Sequence, residues 1–140
     1  MARTLRRALI TVAQKTKACR KILIVEDNPD FRKILVTVLR PIASKVVEAS
    51  DGQQGIEKAK EEVPDVIIMD LGLPGLNGIE TTSRIKQDPT TAHIPVVAYT
   101  VWGEEFKEIA LRAGMAEFLT KVTPPRVLKE TVERFLRSAN

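Results

Sequence analysis

Four of the five short apolar runs of this chain end in residues that can do chemistry. "KILIV" (21–25) runs into Glu26 and Asp27, and "DVIIM" (65–69) runs into Asp70. "PVVAYT" (95–100) ends in Thr100, and "AEFLT" (116–120) ends in Thr120 and is followed by Lys121. Singly, each has a plain structural reading: an Asp after a strand forms turns, acids before a helix suit its dipole, a Thr suits a strand and a Lys suits the surface. Together at successive strand ends they describe one rim carrying three carboxylates, a hydroxyl and an amine. Carboxylates that close repel one another unless a cation neutralises them. The natural cation for an all-oxygen site is Mg²⁺, which keeps several waters and needs one or two protein carboxylates. A carboxylate beside Mg²⁺ and a lysine is equipped to attack a phosphoryl group, because the protein's task there is positioning and neutralisation. The product is an aspartyl phosphate on Asp70, with Thr100 placed to hydrogen-bond a phosphoryl oxygen.

The elements that must position these residues alternate along the chain. Strands are predicted at 21–25, 45–49, 65–69, 95–100 and 116–120. Near-continuous apolar runs are the mark of strands buried on both faces. Asn28 can cap a helix whose first position is Pro29, since proline lacks only an N–H that would be unpaired there. Ile34, Leu35, Val38 and Leu39 make its inward face, and Pro41 ends it. A polar helix follows at 52–62 with Ile56 and Ala59 inward. Asn77 caps 78–87, a helix over 104–114 stops at Gly114, and 124–136 carries the stripe Val127, Leu128, Val132, Phe135 and Leu136. Five strands alternating with five helices predict an α/β domain, a parallel sheet with helices on both faces. Ligands of such sheets bind at the carboxyl ends of the strands.

With 140 residues, the chain is one domain's length. Its single cysteine, Cys19, excludes an internal disulfide and a cysteine metal cluster. No apolar run approaches the roughly 20 residues of a membrane span, so a cytoplasmic protein is expected. Residues 1–21 hold seven of the 22 Lys and Arg and no acid, which leaves 15 basic against 18 acidic residues in the remainder. The body is therefore mildly acidic behind a basic arm, and direct nucleic-acid binding is not expected. Within the arm Leu5, Leu9 and Val12 fall at helical spacing, a pattern that also suits contact with a membrane surface. Residues 1–20 are read as an extension and 21–140 as the domain. His93 sits in a Thr-rich loop away from the strand ends, and Trp102 lies two residues beyond Thr100.

The stretches "ILIVEDNPDFRKIL", "PDVIIMDLGLPGLNGIE", "IPVVAYT" and "AGMAEFLTK" resemble receiver domains of two-component response regulators, of the chemotaxis-type single-domain kind, over about residues 20–138. The resemblance implies a flavodoxin-like sheet of order 2-1-3-4-5. It makes Asp70 the phosphoacceptor, Thr100 the switch hydroxyl, Lys121 the essential lysine and Phe118 the aromatic switch, turning inward on modification. Mg²⁺ or Mn²⁺ would be bound by Asp27, Asp70 and the backbone carbonyl of Gly72, with Glu26 acting through water. A histidine kinase or histidine phosphotransfer protein would supply the phosphoryl group. Output would pass to a partner protein through the face made by helix four, strand five and helix five, as no second domain follows Asn140.

Three positions depart from the family's pattern. Its lysine is normally followed by proline through a cis peptide, whereas here Val122 follows Lys121. Gly72 stands where a side chain usually screens the phosphoryl group, so that side is expected to lie open and to hasten hydrolysis. Val101, bulkier than the usual residue after the switch threonine, is expected to narrow the entrance. Two further functions compete with the phosphoacceptor: a receiver-like binding module that is not phosphorylated, and a metal-dependent phosphatase with an aspartate nucleophile. The phosphatase would normally carry a second Asp at the position of Gly72.

Overall fold

A computed structural model describes residues 20–138. Strands β1 (Lys21–Val25), β2 (Lys45–Ala49), β3 (Val66–Met69), β4 (Val96–Thr100) and β5 (Glu117–Thr120) form one sheet of order β2-β1-β3-β4-β5, with every pairing parallel. The helices are α1 (Pro29–Leu39), α2 (Gly52–Glu62), α3 (Gly78–Gln87), α4 (Lys107–Arg112) and α5 (Pro125–Ser138). This is the flavodoxin-like order expected for the chain. None of these helices is long and apolar enough to cross a membrane. Residues 1–19 of the basic arm, with Cys19, and the last two residues lie outside the described residues.

The strands alternate their side chains between two cores, as a period of two requires. Leu23, Val25, Ile67, Met69, Val96, Ala98 and Phe118 face one side, packed with Ala59 of α2, Ile85 of α3 and Ala110 of α4. Ile22, Ile24, Val66, Ile68, Val97 and Tyr99 face the other, against Leu35 and Leu39 of α1 and Leu128, Val132 and Leu136 of α5. All four residues of β3 are buried. Each such side chain stabilises the fold by about 1.5–3 kcal/mol, which makes β3 a firm support for whatever follows it.

Register then aligns the strand ends. Val25 pairs with Ala49 on one side and Met69 on the other, Met69 with Ala98, and Thr100 with Thr120. The residues just beyond these pairs, Glu26, Asp70 and Lys121, therefore leave the sheet along one edge.

Several local expectations hold because the capping chemistry is local. The Asn28 side chain accepts from the N–H groups of Asp30 and Phe31, and Asn77 accepts from Glu80 N–H. Asp51 caps α2 by accepting from Gln54 N–H. Gly114 takes φ +109 and its N–H closes onto Leu111 O.

Pro41 ends α1 as expected, with Leu39 the last helical residue and a 3₁₀ turn, Arg40–Ile42, following. Two expectations are corrected. Ile34 lies off the inward face at 49 % exposure, since the helix turns it away while Leu35 and Leu39 stay buried. The helix expected over 104–114 is a 3₁₀ turn, Glu104–Phe106, followed by the short α4. Gly103 has no side chain to cap it, so the tighter turn takes up the first unpaired N–H groups.

Candidate functional site

The site stands where β1 and β3 end. The Asp70 N–H donates to Val25 O at 3.1 Å and the Glu26 N–H to Ala49 O at 3.0 Å, so both residues are held by the last rungs of the sheet. The carboxylates of Glu26, Asp27 and Asp70 each bring an oxygen within 4.8 Å of the others. Glu26 and Asp70 are buried, whereas Asp27 is exposed and opens the cluster to solvent.

Lys121 completes it from β5. Its Nζ donates to Glu26 Oε1 at 2.6 Å and lies 3.5 Å from Asp70 Oδ2. The Glu26 Oε2 accepts the Asn28 N–H at 3.2 Å. Burial pushes the Glu26 carboxyl above its ordinary value; the Lys121 hydrogen bond opposes this, and the neighbouring Asp70 charge adds to the rise. Removing water favours the neutral acid and repulsion favours it further, while a cation favours the carboxylate. A second cation would act in the same direction as Lys121. The donor set is all oxygen and already converged, so it fits a hard divalent ion such as Mg²⁺.

Thr100 is fully buried, and its Oγ1 accepts the Trp102 N–H at 3.2 Å. Its carbonyl accepts the Lys121 N–H at 2.7 Å. Thr100 and Lys121 are thus neighbours across the ends of β4 and β5.

The substituted position after the lysine leaves the site assembled. No peptide among the described residues is cis, so Lys121–Val122 is trans, and Lys121 still reaches the carboxylates. Val122 is exposed to solvent.

Two expectations about the entrance change. Val101 is 75 % exposed and packs little against anything. Gly72 is not left bare: a Cβ built there would stand 3.1 Å from Trp102 Nε1. The indole of Trp102, supported by Phe106 at 4.7 Å between ring centroids, fills the space that a side chain at residue 72 would take. In Gly72→Ala the added methyl makes the indole give by a few tenths of an ångström, so Trp102 emission should change. An unmoved emission maximum would show that the indole does not rest on Gly72.

Phe118, expected to turn inward, is already inside at 4 % exposure, packed in the same core as Ala98 and Met115. His93 is exposed in the loop before β4, at the opposite end of the strands from the carboxylates.

Two contacts at the site carry no sequence signal. The Phe31 ring lies under Lys121 Nζ, 4.1 Å from its centroid. The Tyr99 hydroxyl donates to Thr123 O at 2.7 Å and fastens the loop that carries Lys121. Both join residues far apart in the chain, so neither spacing nor pattern announces them.

Comparison with known proteins agrees with this geometry. A family model for the response regulator receiver domain matches residues 22–133. Protein PilH of Pseudomonas aeruginosa is 34% identical over 117 residues, covering 83% of this chain and 97% of that protein. The phosphate regulon transcriptional regulatory protein PhoB of the same organism is 35% identical over 117 residues, covering 83% of this chain but 51% of that protein. The chain thus spans nearly all of one relative and about half of the other. Among solved structures, the receiver domain of the sensor histidine kinase PA1611 from Pseudomonas aeruginosa PAO1 superposes with a TM-score of 0.76 at 30% identity. That match covers 85% of this chain and 98% of the other, whose active-site cleft holds a coordinated magnesium ion. The chain belongs to the response regulator receiver domain family.

Proposed function

We propose that this protein is a phosphoacceptor: Asp70 takes a phosphoryl group from a histidine kinase or histidine phosphotransfer protein, and the modified domain signals to a partner protein. The observation that carries this reading is the convergence of Glu26, Asp27 and Asp70 within 4.8 Å, with the Lys121 ammonium reaching into it.

An Asp70 carboxylate oxygen attacks the phosphorus of the donor. The new O–P bond forms as the bond to the leaving group breaks, and the leaving group departs with that electron pair. Charge grows on the leaving and equatorial oxygens, and the Lys121 ammonium, 3.5 Å from Asp70, is in place to stabilise it. Glu26, Asp27, Asp70 and the Gly72 carbonyl would hold Mg²⁺ or Mn²⁺, which supplies further charge neutralisation when bound. Hydrolysis of the acyl phosphate by water returns the carboxylate and inorganic phosphate. The domain is thus a carrier that turns over slowly on itself; it does not act on an outside substrate.

The phosphoryl group carries about −1.5 to −2 charges while Asp70 gives up its own −1, so the buried strand end gains about −0.5 to −1. In this reading the Thr100 hydroxyl hydrogen-bonds a phosphoryl oxygen, exchanging its contact with the Trp102 N–H, and Phe118 stays in its inward position. The α4–β5–α5 face would carry the change to a partner. The cytoplasm is the compartment where a kinase of this class would meet it. Direct nucleic-acid binding by the domain is not part of this reading, and residues 1–20 are an extension to the domain that begins at 21.

Trp102 provides the test, because its backbone touches Thr100 and its ring touches Gly72. Mg²⁺ alone should change its fluorescence in a saturable way. Adding acetyl phosphate should produce a second, slower change that chelation of the metal prevents. Fluorescence indifferent to both additions would argue for a binding module that is not phosphorylated.

A further inference from the structure

The geometry points to Phe31 as the residue that positions the Lys121 ammonium for phosphoryl transfer, through the face of its ring. This inference rests on the phosphoacceptor reading of Asp70.

Lys121 has a flexible four-carbon stem, and its own loop does little to aim it. The loop is well fastened at its backbone: Lys121 N–H donates to Thr100 O at 2.7 Å, Thr123 N–H to Thr120 O at 2.9 Å, and Tyr99 Oη to Thr123 O at 2.7 Å. Those bonds place the Cα. The adjoining peptide is trans and Val122 is 91% exposed, so the next side chain gives Lys121 little to lean on.

Three groups meet Lys121 Nζ: Glu26 at 2.6 Å, Asp70 at 3.5 Å and the Phe31 ring at 4.1 Å from its centroid. The first two are anions of the reacting cluster. Their pull on the ammonium falls when a divalent ion shares them, and it changes again when Asp70 gives up its carboxylate charge to an acyl phosphate that carries charge of its own. The ring is the one contact of the three whose attraction does not depend on the charge state of the cluster. A cation over an aromatic face is attracted by the ring quadrupole, more strongly where water is excluded, and the Lys121 side chain is only 15% exposed.

Phe31 is itself well placed to hold still. It sits in the first turn of α1, where its N–H donates to the Asn28 capping oxygen at 3.0 Å. Its ring leans on Tyr99 at 5.9 Å between centroids. Tyr99 therefore supports the ring below the ammonium and fastens the loop above it. Asn28, which follows the acid pair, is thus linked to the lysine through the helix it starts.

An aromatic in a first turn can be mere packing, so the test must separate the ring's face from its bulk. Phe31→Leu keeps an apolar side chain and removes the face; Phe31→Tyr keeps the face. With acetyl phosphate and Mg²⁺, Phe31→Leu should be labelled about tenfold more slowly than wild type. Phe31→Tyr should recover most of that loss, while Mg²⁺ affinity and thermal midpoint stay close to wild type in both. The Lys121 side-chain methylene protons, read by NMR, should be shifted upfield by the ring in wild type and Phe31→Tyr but not in Phe31→Leu. Labelling of Phe31→Leu at the wild-type rate, or equal slowing in Phe31→Tyr, overturns the inference. If wild type itself takes no label, the phosphoacceptor reading falls. The Lys121 resonances then decide alone whether the ring positions the ammonium, and an unchanged shift in Phe31→Leu sinks that too.

Discussion

Asp70→Asn takes no label from a phosphodonor in the presence of Mg²⁺, while the wild-type chain is labelled in proportion to time and donor. The expectation follows from nucleophilicity and place together. An amide oxygen carries no full negative charge and forms no stable acyl phosphate, so the covalent step is lost outright. The surrounding structure should survive the change. The backbone N–H of residue 70 still donates to Val25 O, and an Asn side-chain oxygen can still accept from Gly72 N–H, as Asp70 Oδ1 does at 3.4 Å. Removing one of three clustered carboxylates also eases the repulsion that adds to the burial-driven rise of the Glu26 carboxyl. A normal melting curve with no label is therefore the expected pair of results. Label persisting at the wild-type level would move the phosphoacceptor away from Asp70. Steady turnover of an aryl phosphate by the wild-type chain would instead favour the phosphatase reading, despite Gly72 standing where its second acid is needed.

The acid cluster was legible in sequence because each member ends an apolar run, and a parallel sheet in register brings run ends together. Caps were legible for a similar reason: Asn28 and Asn77 act on N–H groups two or three residues ahead. What could not be read joins residues whose separation along the chain carries no period. Trp102 lies over Gly72 from a different loop, which turned an expected opening into a covered surface. Phe31 meets Lys121 from the far side of the sheet's order. The Phe118 position depends on how much room Ala98 and Met115 leave between β4, β5 and α4, a packing matter that no pattern in the residues states. Ile34 fits the inward face by its place beside Leu35, Val38 and Leu39 in the sequence, yet helix phase sets it beside solvent while Leu35 and Leu39 fill the core. Local hydrogen-bonding rules and strand register thus carried the chemistry, and side chains arriving from distant loops shaped its surroundings.

Gly78→Ala should damage fold and site together, and for one geometric reason. Gly78 is the first residue of α3, and a Cβ there would stand 2.1 Å from Asp70 O and 2.7 Å from Leu71 Cα. Both neighbours are backbone, so no rotamer change relieves the contact. The Gly78 N–H also donates to Leu71 O at 2.9 Å, which pins the two segments at the clash. Either α3 starts farther out and loses the packing of Ile85 in the core, or the chain after β3 shifts and carries the Asp70 carboxylate with it. Overpacking of this kind costs about 3 kcal/mol or more, to be read from urea denaturation. If Asp70 holds the metal as proposed, misplacing its carboxylate should weaken Mg²⁺ binding about tenfold or more, on the scale seen when a ligand's supporting contacts are lost. Gly75→Ala is the control, because it tests strain without a clash. Gly75 takes φ +71 with nothing within 4 Å of its Cβ position, so alanine there should cost about 1–2 kcal/mol and leave Mg²⁺ affinity unchanged. Equal effects of the two substitutions would mean that the approach of α3 to Asp70 does not set the position of the reactive carboxylate.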